Sequence, residues 1–528
     1  MKSKLKEWGL LLLVSTLIMS WTTIPNWRGH SLENENYAFV GTFFDASDYS
    51  VHLTMMRAGM EGDWAYRFRF TTEPHEPQFI RLFYVVLGQV NRILRLEPEA
   101  LFHAVRWLFG YGALLALYRM LQRIFKTKRS QWIAFFLAVM GSGFGVLQML
   151  FSPAHGVISP VDLWLIDAYM IFSLALFPHF AFTLALICAA ITGWLDFLRT
   201  GRLLHVWIVI VSALLVQCVN PIAFILADTF MAAVTGLRWL NRSRLDWREA
   251  RWLALVGAAQ IPLLLYNFLL LNNDPIWSQF TAQNETLSPA PDYYLWGFGL
   301  FWILGITGLI RAIKERKERG PIYIASGLWI AAAFLFAYFP WAIQRRFLLG
   351  VTIPFSLLST YALEWLAEWS SRRQGRRPEY YSAAEVTLIA FMSLTSLVLY
   401  PGYALYLQNH PEPFFYPRAL DEAFTWIRQQ SGPDDFFLGT ENTGRILAQK
   451  TGRPVYLGHP METLFYVEKV EQVDNYYTNM LPADWISGLP IRWVVYGPYE
   501  KEIAPEFHPE DDLIPEFENE AVTIFRVK

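Results

Sequence analysis

Apolar residues in this chain gather into long runs rather than the short alternations of a water-soluble core. A helix needs about 20 mostly apolar residues to cross the hydrocarbon of a bilayer. Runs of that kind fall at 7–23, 101–124, 131–150, 174–198, 203–219, 221–240, 250–271, 295–313, 321–339, 343–366 and 383–404. They predict about 11 spans. One further stretch, 79–95, reads FIRLFYVVLGQVNRILR and carries Arg81, Gln89, Asn91 and Arg92. Such side chains are costly in hydrocarbon.

The basic residues decide how 79–95 is read, because Lys and Arg concentrate in cytoplasmic loops. Lys2, Lys4 and Lys6 place the N-terminus inside. With 79–95 lying on the outer surface as an interfacial helix, every later basic cluster falls on the inside too. These are Lys126, Lys128 and Arg129, then Arg199 and Arg202, then Arg242, Arg244 and Arg248. Arg311, Lys314, Arg316, Lys317 and Arg319 follow, and last Arg372, Arg373, Arg376 and Arg377. The loops 151–173 and 272–294 hold no Lys or Arg. Had 79–95 crossed, all later clusters would face outward.

The expected protein is thus an α-helical polytopic protein of the cell membrane, N-terminus cytoplasmic and C-terminus extracytoplasmic. Four regions are expected: an anchor at 1–23, an outer loop at 24–100, a helical bundle at 101–404 and an outer domain at 405–528. The anchor reads as retained, because SWTTIPNW after it lacks a small-x-small cleavage site. The last region alternates helical and strand-like pieces (PRALDEAFTWIRQQ, DFFLG, PVYLG, IRWVVYG, AVTIFRVK), which predicts a small α/β domain.

Composition agrees. Hydrophobic residues make up 54% and charged residues 17% of 528, against about 25% charged in a soluble chain. That excludes a disordered chain and an ordinary cytosolic enzyme. The net charge of −2 gives no case for nucleic acid. Cys188 and Cys218 both lie in apolar runs, so no disulfide framework is expected.

Candidate chemistry concentrates in the first outer loop. From Phe43 to Trp64 it reads FFDASDYSVHLTMMRAGMEGDW. Helical periodicity puts Asp45, Asp48 and His52 near one face. The plain alternative is that Asp45 and Asp48 cap a helix and complement its dipole. Downstream, Glu73-Pro-His75-Glu76-Pro77 is a stiff turn framed by prolines. It either presses polar side chains into a surface site or is simply solvated. Asp48, His52 and His75 also form a conceivable metal set, without a recognised ligand spacing. Outer-side cations are scarce, so Arg345 and Arg346 ask for a partner: a phosphate, Asp162 or Asp292, or lipid headgroups. His179, at the outer mouth of a span, either contacts a ligand or packs between helices. His155, Asp162 and Asp167 lie in the loop before it. Tyr293, Tyr294 and Trp296 read as an interfacial belt or a sugar platform. Gly439–Gly444 reads as a strand-to-helix turn, not a phosphate loop.

These motifs resemble those of the GT-C superfamily of membrane glycosyltransferases. Many members show Asp-Glu-x-x-Tyr, then a Gly-Asp-Trp-like turn, then a Pro-Pro motif. Here Asp45-Ala-Ser-Asp-Tyr49 keeps the Asp and the Tyr, Gly62-Asp63-Trp64 matches the turn, and Glu73–Pro77 stands at the third place. Ala46 replaces the usual Glu. The pattern is most similar to the bacterial branch related to protein O-mannosyltransferases and aminoarabinose transferases. The resemblance implies sugar transfer from a polyprenyl-phosphate-type donor to an unidentified glycan, lipid or protein acceptor, with inversion. It implies Asp45 and then Asp48 as catalytic residues. Tyr49, His52, His75, Glu76, His179, Arg345 and Arg346 would bind substrate. The sequence requires no cofactor and admits a divalent cation; membrane lipids are expected partners. The rival readings are a lipid or polysaccharide transporter or flippase, and a catalytically inactive scaffold of envelope assembly.

Overall fold

The computed structural model describes residues 2–151, 159–374, 383–482, 484–509 and 512–528, with side chains undescribed at 2–4 and 372–374. His155, Arg376 and Arg377 lie outside the described residues. The chain divides into two compact units. One comprises Met1–Thr23, Val105–Phe268 and Glu285–Gly402; the other comprises Ile24–Ala104, Leu269–Asn284 and Tyr403–Lys528.

The first unit is helical. Six helices of the described chain are long and apolar enough to cross a membrane, and up to nine spans result if each of three bent pairs counts as one. Two of the expected eleven fall short of that test. The helix Leu203–Val219 has 17 residues. The helix Ile225–Arg242 carries Asp228, Arg238 and Arg242.

The three bent pairs break at Gly141–Phe144 (52°), Gly299 (83°) and Ser393 (46°). A break frees backbone groups that hydrocarbon cannot satisfy. Here the breaks satisfy one another. Ser142 N–H donates to Met392 O at 2.6 Å and Phe144 N–H to Trp296 O at 2.9 Å. The N–H groups of Gly143 and Gly145 donate to Asp162 Oδ2 at 3.0 and 3.1 Å. Close helix crossings rely on small residues: a Cβ on Gly308 would stand 2.1 Å from Leu358 O. The helix Thr352–Gln374 lies deep within this unit, its Ser356, Ser359 and Thr360 fully buried.

The second unit combines helices with two small sheets. Strand β1 (Tyr37–Phe39) pairs antiparallel with β2 (Phe415–Pro417). Four strands follow: β3 (Phe436–Leu438), β4 (Ile491–Tyr496), β5 (Leu513–Glu518) and β6 (Thr523–Val527). Their order is β3-β4-β6-β5, with β3 and β4 parallel and the rest antiparallel. The core against this sheet includes Leu438, Tyr477, Val494 and Phe525. The expected piece PVYLG contributes only a bridge from Val455 to Phe437. Thr440 caps the helix Glu441–Thr451, so the Gly439–Gly444 stretch is a strand-to-helix turn.

Residues 82–94 form a helix of 13 residues, about 20 Å long and too short to span roughly 30 Å of hydrocarbon. Its buried side meets the helix Ala46–Glu61 through glycines: a Cβ on Gly59 would stand 2.1 Å from Val85 O, and one on Gly88 2.1 Å from Met56 O. Its other side exposes Val86, Val90 and Ile93, as a helix resting on an apolar boundary requires.

Candidate active site

The helix Ala46–Glu61 opens on Asp45, which adopts a left-handed conformation (φ 48°, ψ 60°) and accepts from Asp48 N–H through Oδ1 at 3.2 Å. Asp is among the few side chains that tolerate this conformation. The capping role is therefore real, and it places two carboxylates within one turn. Asp45 is half-buried, and the Asp48 side chain is 44% exposed. Ala46, where the family pattern has Glu, is packed at 2% exposure.

Tyr49 and His52 point to the packed side of this helix. Tyr49 lies beneath Gly41, where a Cβ would stand 2.6 Å from its hydroxyl, and its ring meets Phe102 edge-on. His52 stacks on Tyr84, with ring centroids 4.0 Å apart. Both residues thus hold the helix from below rather than line an open surface. Gln449 joins them, accepting from Ser50 Oγ at 2.8 Å and donating to Val40 O at 2.8 Å.

Residues the sequence did not mark as site candidates gather near Asp48. His459 Nε2 stands 3.3 Å from Asp48 Oδ1, an ion-pair distance without the alignment of a hydrogen bond. His459 Nδ1 accepts from the N–H groups of Met461 and Glu462 at 3.0 and 3.1 Å. In the neutral ring the proton therefore sits on Nε2, facing the carboxylate. Glu462, with its side chain 2% exposed, accepts from Arg81 Nη1 and from the Tyr66 hydroxyl. Burial opposes the charge on Arg81, but Glu462 outweighs it and holds the guanidinium above its ordinary value. Burial, then Glu462, pushes the Tyr66 phenol up, so it remains a donor. Arg81 also has positive φ (57°), a conformation that surrounding structure must enforce. Asp48 lies within its electrostatic reach.

The segment 458–463 is shaped for this task. Thr463 Oγ1 accepts from the N–H groups of Gly458 and His459, closing a tight turn. Gln283, on the helix Pro275–Gln283, donates to the carbonyls of Met461 and Thr463. The visible signal was Gly458-His-Pro, a histidine held between a flexible residue and a rigid one.

His75 does not join a metal set. Its Nε2 accepts from Phe68 N–H at 2.9 Å and its Nδ1–H donates to Glu73 O at 2.7 Å. Burial lowers its pKa from 6.5. Glu76 is exposed on the same turn. Glu73 pairs with Lys469 at 2.7 Å, and Asp63 of the Gly-Asp-Trp turn pairs with Arg69 at 3.0 Å. Among the described residues no group of three or more His, Cys, Asp or Glu side chains is placed to hold a metal ion.

His179, Arg345 and Arg346 belong to the other unit. His179 starts the helix Pro178–Thr200 and lies against the rings of Phe177 and Phe180. Arg345 and Arg346 lie in the single-turn 3-10 helix Gln344–Leu348. The Arg345 guanidinium stands over Trp164 at 5.4 Å. Asp162, considered as its partner, is instead buried at the helix breaks, where desolvation raises its pKa to about 7.

No family model matches the chain, and no curated protein matches it. Among the solved structures similar in fold are three glycosyltransferases. The arabinofuranosyltransferase AftD from Mycobacteria has a TM-score of 0.56 at 13% identity, over 98% of this chain and 40% of that one. The apo oligosaccharyltransferase of Archaeoglobus fulgidus has a TM-score of 0.53 at 12% identity, over 92% of this chain and 69% of that one. ArnT from Cupriavidus metallidurans, bound to undecaprenyl phosphate, has a TM-score of 0.52 at 12% identity, over 98% of this chain and 97% of that one. The chain therefore shares the fold of these three structures, all of them GT-C glycosyltransferases. It is a multi-pass membrane protein of that architecture, with a small sheet domain at its C-terminal end.

Proposed function

We propose that this chain is a membrane glycosyltransferase. It moves a sugar from a polyprenyl-phosphate-type lipid to an extracytoplasmic acceptor by inverting displacement. The observation that carries this reading is the pair of carboxylates, Asp45 and Asp48, on one helical turn of a chain with the GT-C fold. ArnT, similar in fold, is seen with undecaprenyl phosphate, which supports an isoprenoid phosphate as donor. Asp45, which opens the family-like motif, takes the proton of the acceptor hydroxyl. The acceptor oxygen bonds to the anomeric carbon as the bond to phosphate oxygen breaks, and the phosphate leaves with the electron pair. Asp48, faced by the His459 Nε2–H, is the second carboxylate and lies within electrostatic reach of Arg81. Arg345 and Arg346, on the helical unit, carry the forked positive charge that a phosphate binds. The His75–Glu76 turn borders the substrates, while Tyr49 and His52 fix the catalytic helix from beneath; on the helical unit His179 offers an imidazole to a ligand. The reading requires no metal and admits a divalent cation, which would add positive charge to offset that of the leaving phosphate. By the basic-loop pattern the N-terminus is cytoplasmic and the carboxylates face outward.

Transport through the bundle is the weaker reading. A transporter aims the free backbone groups of its broken helices at substrate. In this chain the breaks bond to one another and to Asp162.

Purified protein incubated with a panel of polyprenyl-phosphate sugars tests the proposal. Transfer or donor hydrolysis is expected, and Asp45→Asn should lower it by about 10²–10⁴-fold with expression and membrane insertion intact. Full activity of Asp45→Asn would refute its role, and turnover retained in that variant but lost in Asp48→Asn would move the base to Asp48.

A further inference from the structure

The basic loop clusters do more than orient the chain. Side chains from four of them converge on one cavity of about 880 Å³ within the helical unit. It lies at the helix ends around 123–130, 195–199, 234–242, 317–323 and 364–368. Nine Lys and Arg line it against three Glu. Sidedness alone requires positive loops; it does not require them to surround a single hollow.

Part of this charge is already answered. Arg123 pairs with Asp196 at 2.9 Å, Arg238 with Glu249 at 3.3 Å, and Lys128 with Glu7. Lys126, Arg199, Lys317 and Arg319 are not: among the described residues no carboxylate stands within 4.0 Å of any of the four. Like charges gathered around one hollow repel, and a bound anion offsets that cost. The walls are mixed, with Leu195, Leu198 and Ile322 beside the cations. This site is not the Arg345 turn. The helix Gly320–Ala337 begins at the cavity and has 18 residues, so its far end, before Arg345, lies about 27 Å away.

We propose that this cavity is a binding site for the phosphate-bearing headgroup of an anionic phospholipid. Phosphate is the shared chemistry, matched by Arg forks and Lys point charges. The lipid is the favoured source because apolar side chains of spanning helices form part of the wall, and basic pockets between such helices suit anionic headgroups. The inference stands independently of the glycosyltransferase reading.

Native mass spectrometry of the full chain in detergent tests it. The ligands are tetraoleoyl cardiolipin, dioleoyl phosphatidylglycerol, dioleoyl phosphatidylcholine and inorganic pyrophosphate. The wild type should retain cardiolipin at least ~10-fold more tightly than phosphatidylcholine, with strong salt dependence. The triple variant Arg199→Gln, Lys317→Gln, Arg319→Gln should bring the two lipids to near parity. All three positions are exposed, and Lys126→Gln with Lys317→Gln is a milder second variant expected to lose part of the preference. Equal retention of both lipids by the wild type overturns the proposal, as does an unchanged preference in both variants. Pyrophosphate that binds alone, displaces cardiolipin and shows the same variant sensitivity overturns the lipid as source and leaves a soluble phosphate ligand.

Discussion

The Arg81–Glu462 pair gives a sharp test of how the carboxylate-bearing loop is held. Its side chains are 28% and 2% exposed. Glu462→Leu strips Arg81 of its carboxylate and the Tyr66 hydroxyl of its acceptor. Breaking a buried pair from one side costs about 3–5 kcal/mol. Water still reaches part of Arg81, so about 3 kcal/mol is appropriate for the charge, and the lost Tyr66 bond adds about 1 kcal/mol. A unit of roughly 200 residues loses about 2–4 °C in midpoint per kcal/mol. Glu462→Leu should therefore lower the unfolding midpoint by about 8–16 °C. Adding Arg81→Met removes the stranded charge, and apolar replacement of both partners is close to neutral. The double variant should recover more than half of the loss, a coupling of about 2–3 kcal/mol. The assay is tryptophan scanning fluorimetry of the full chain in detergent at one scan rate, for the wild type, both single variants and the double variant. Strictly additive losses, or a Glu462→Leu midpoint indistinguishable from wild type, would refute the reasoning.

Three further outcomes follow from the same geometry. Gly59→Ala should destabilise by about 1–3 kcal/mol, since its Cβ would meet the Val85 carbonyl at 2.1 Å; an unchanged unfolding midpoint would contradict the helix contact. Burial holds His75 below its ordinary 6.5, so the unfolded chain takes up the proton first. The stability from the neutral ring is full above pH 6.5 and is lost as pH falls toward the folded value. Unfolding midpoints of wild type and His75→Gln should therefore converge on acidification, and a constant difference would discount the depressed value. Arg345→Ala should raise the donor KM by about 10-fold or more, the scale of a charge-assisted hydrogen bond, with the acceptor KM less affected. An equal rise in both would discount the phosphate assignment.

The membrane helices were legible because each carries its own apolar run, and Arg81, Gln89, Asn91 and Arg92 marked 82–94 as something else. Strands β4 and β6 were legible for the same local reason: IRWVVY and TIFRV are rich in β-branched and aromatic residues. Strand β5 was not, because LIPEFE is acidic and contains Pro515, traits of an edge strand. Asp45 and Asp48 stood out through their spacing. The pairing of Arg81 with Glu462 did not, since they meet across 381 positions and neither neighbourhood hints at the other. Likewise Tyr49 and His52 lie on the helix that bears the carboxylates. Which side of it is packed depends on Gly41, Tyr84 and Phe102, and only the tertiary fold decides that.

The catalytic-type loop depends on sequence that is made much later. Its helix leans on Gln449 and its second carboxylate on His459, yet Ala104 and Tyr403 bracket roughly 300 intervening residues, about 15–60 s of synthesis. During that interval Asp45 and Asp48 are present without their neighbours. Ribosome-bound chains stopped before Gln449 should lack these supports, so the loop settles only once the segment through His459 has been made.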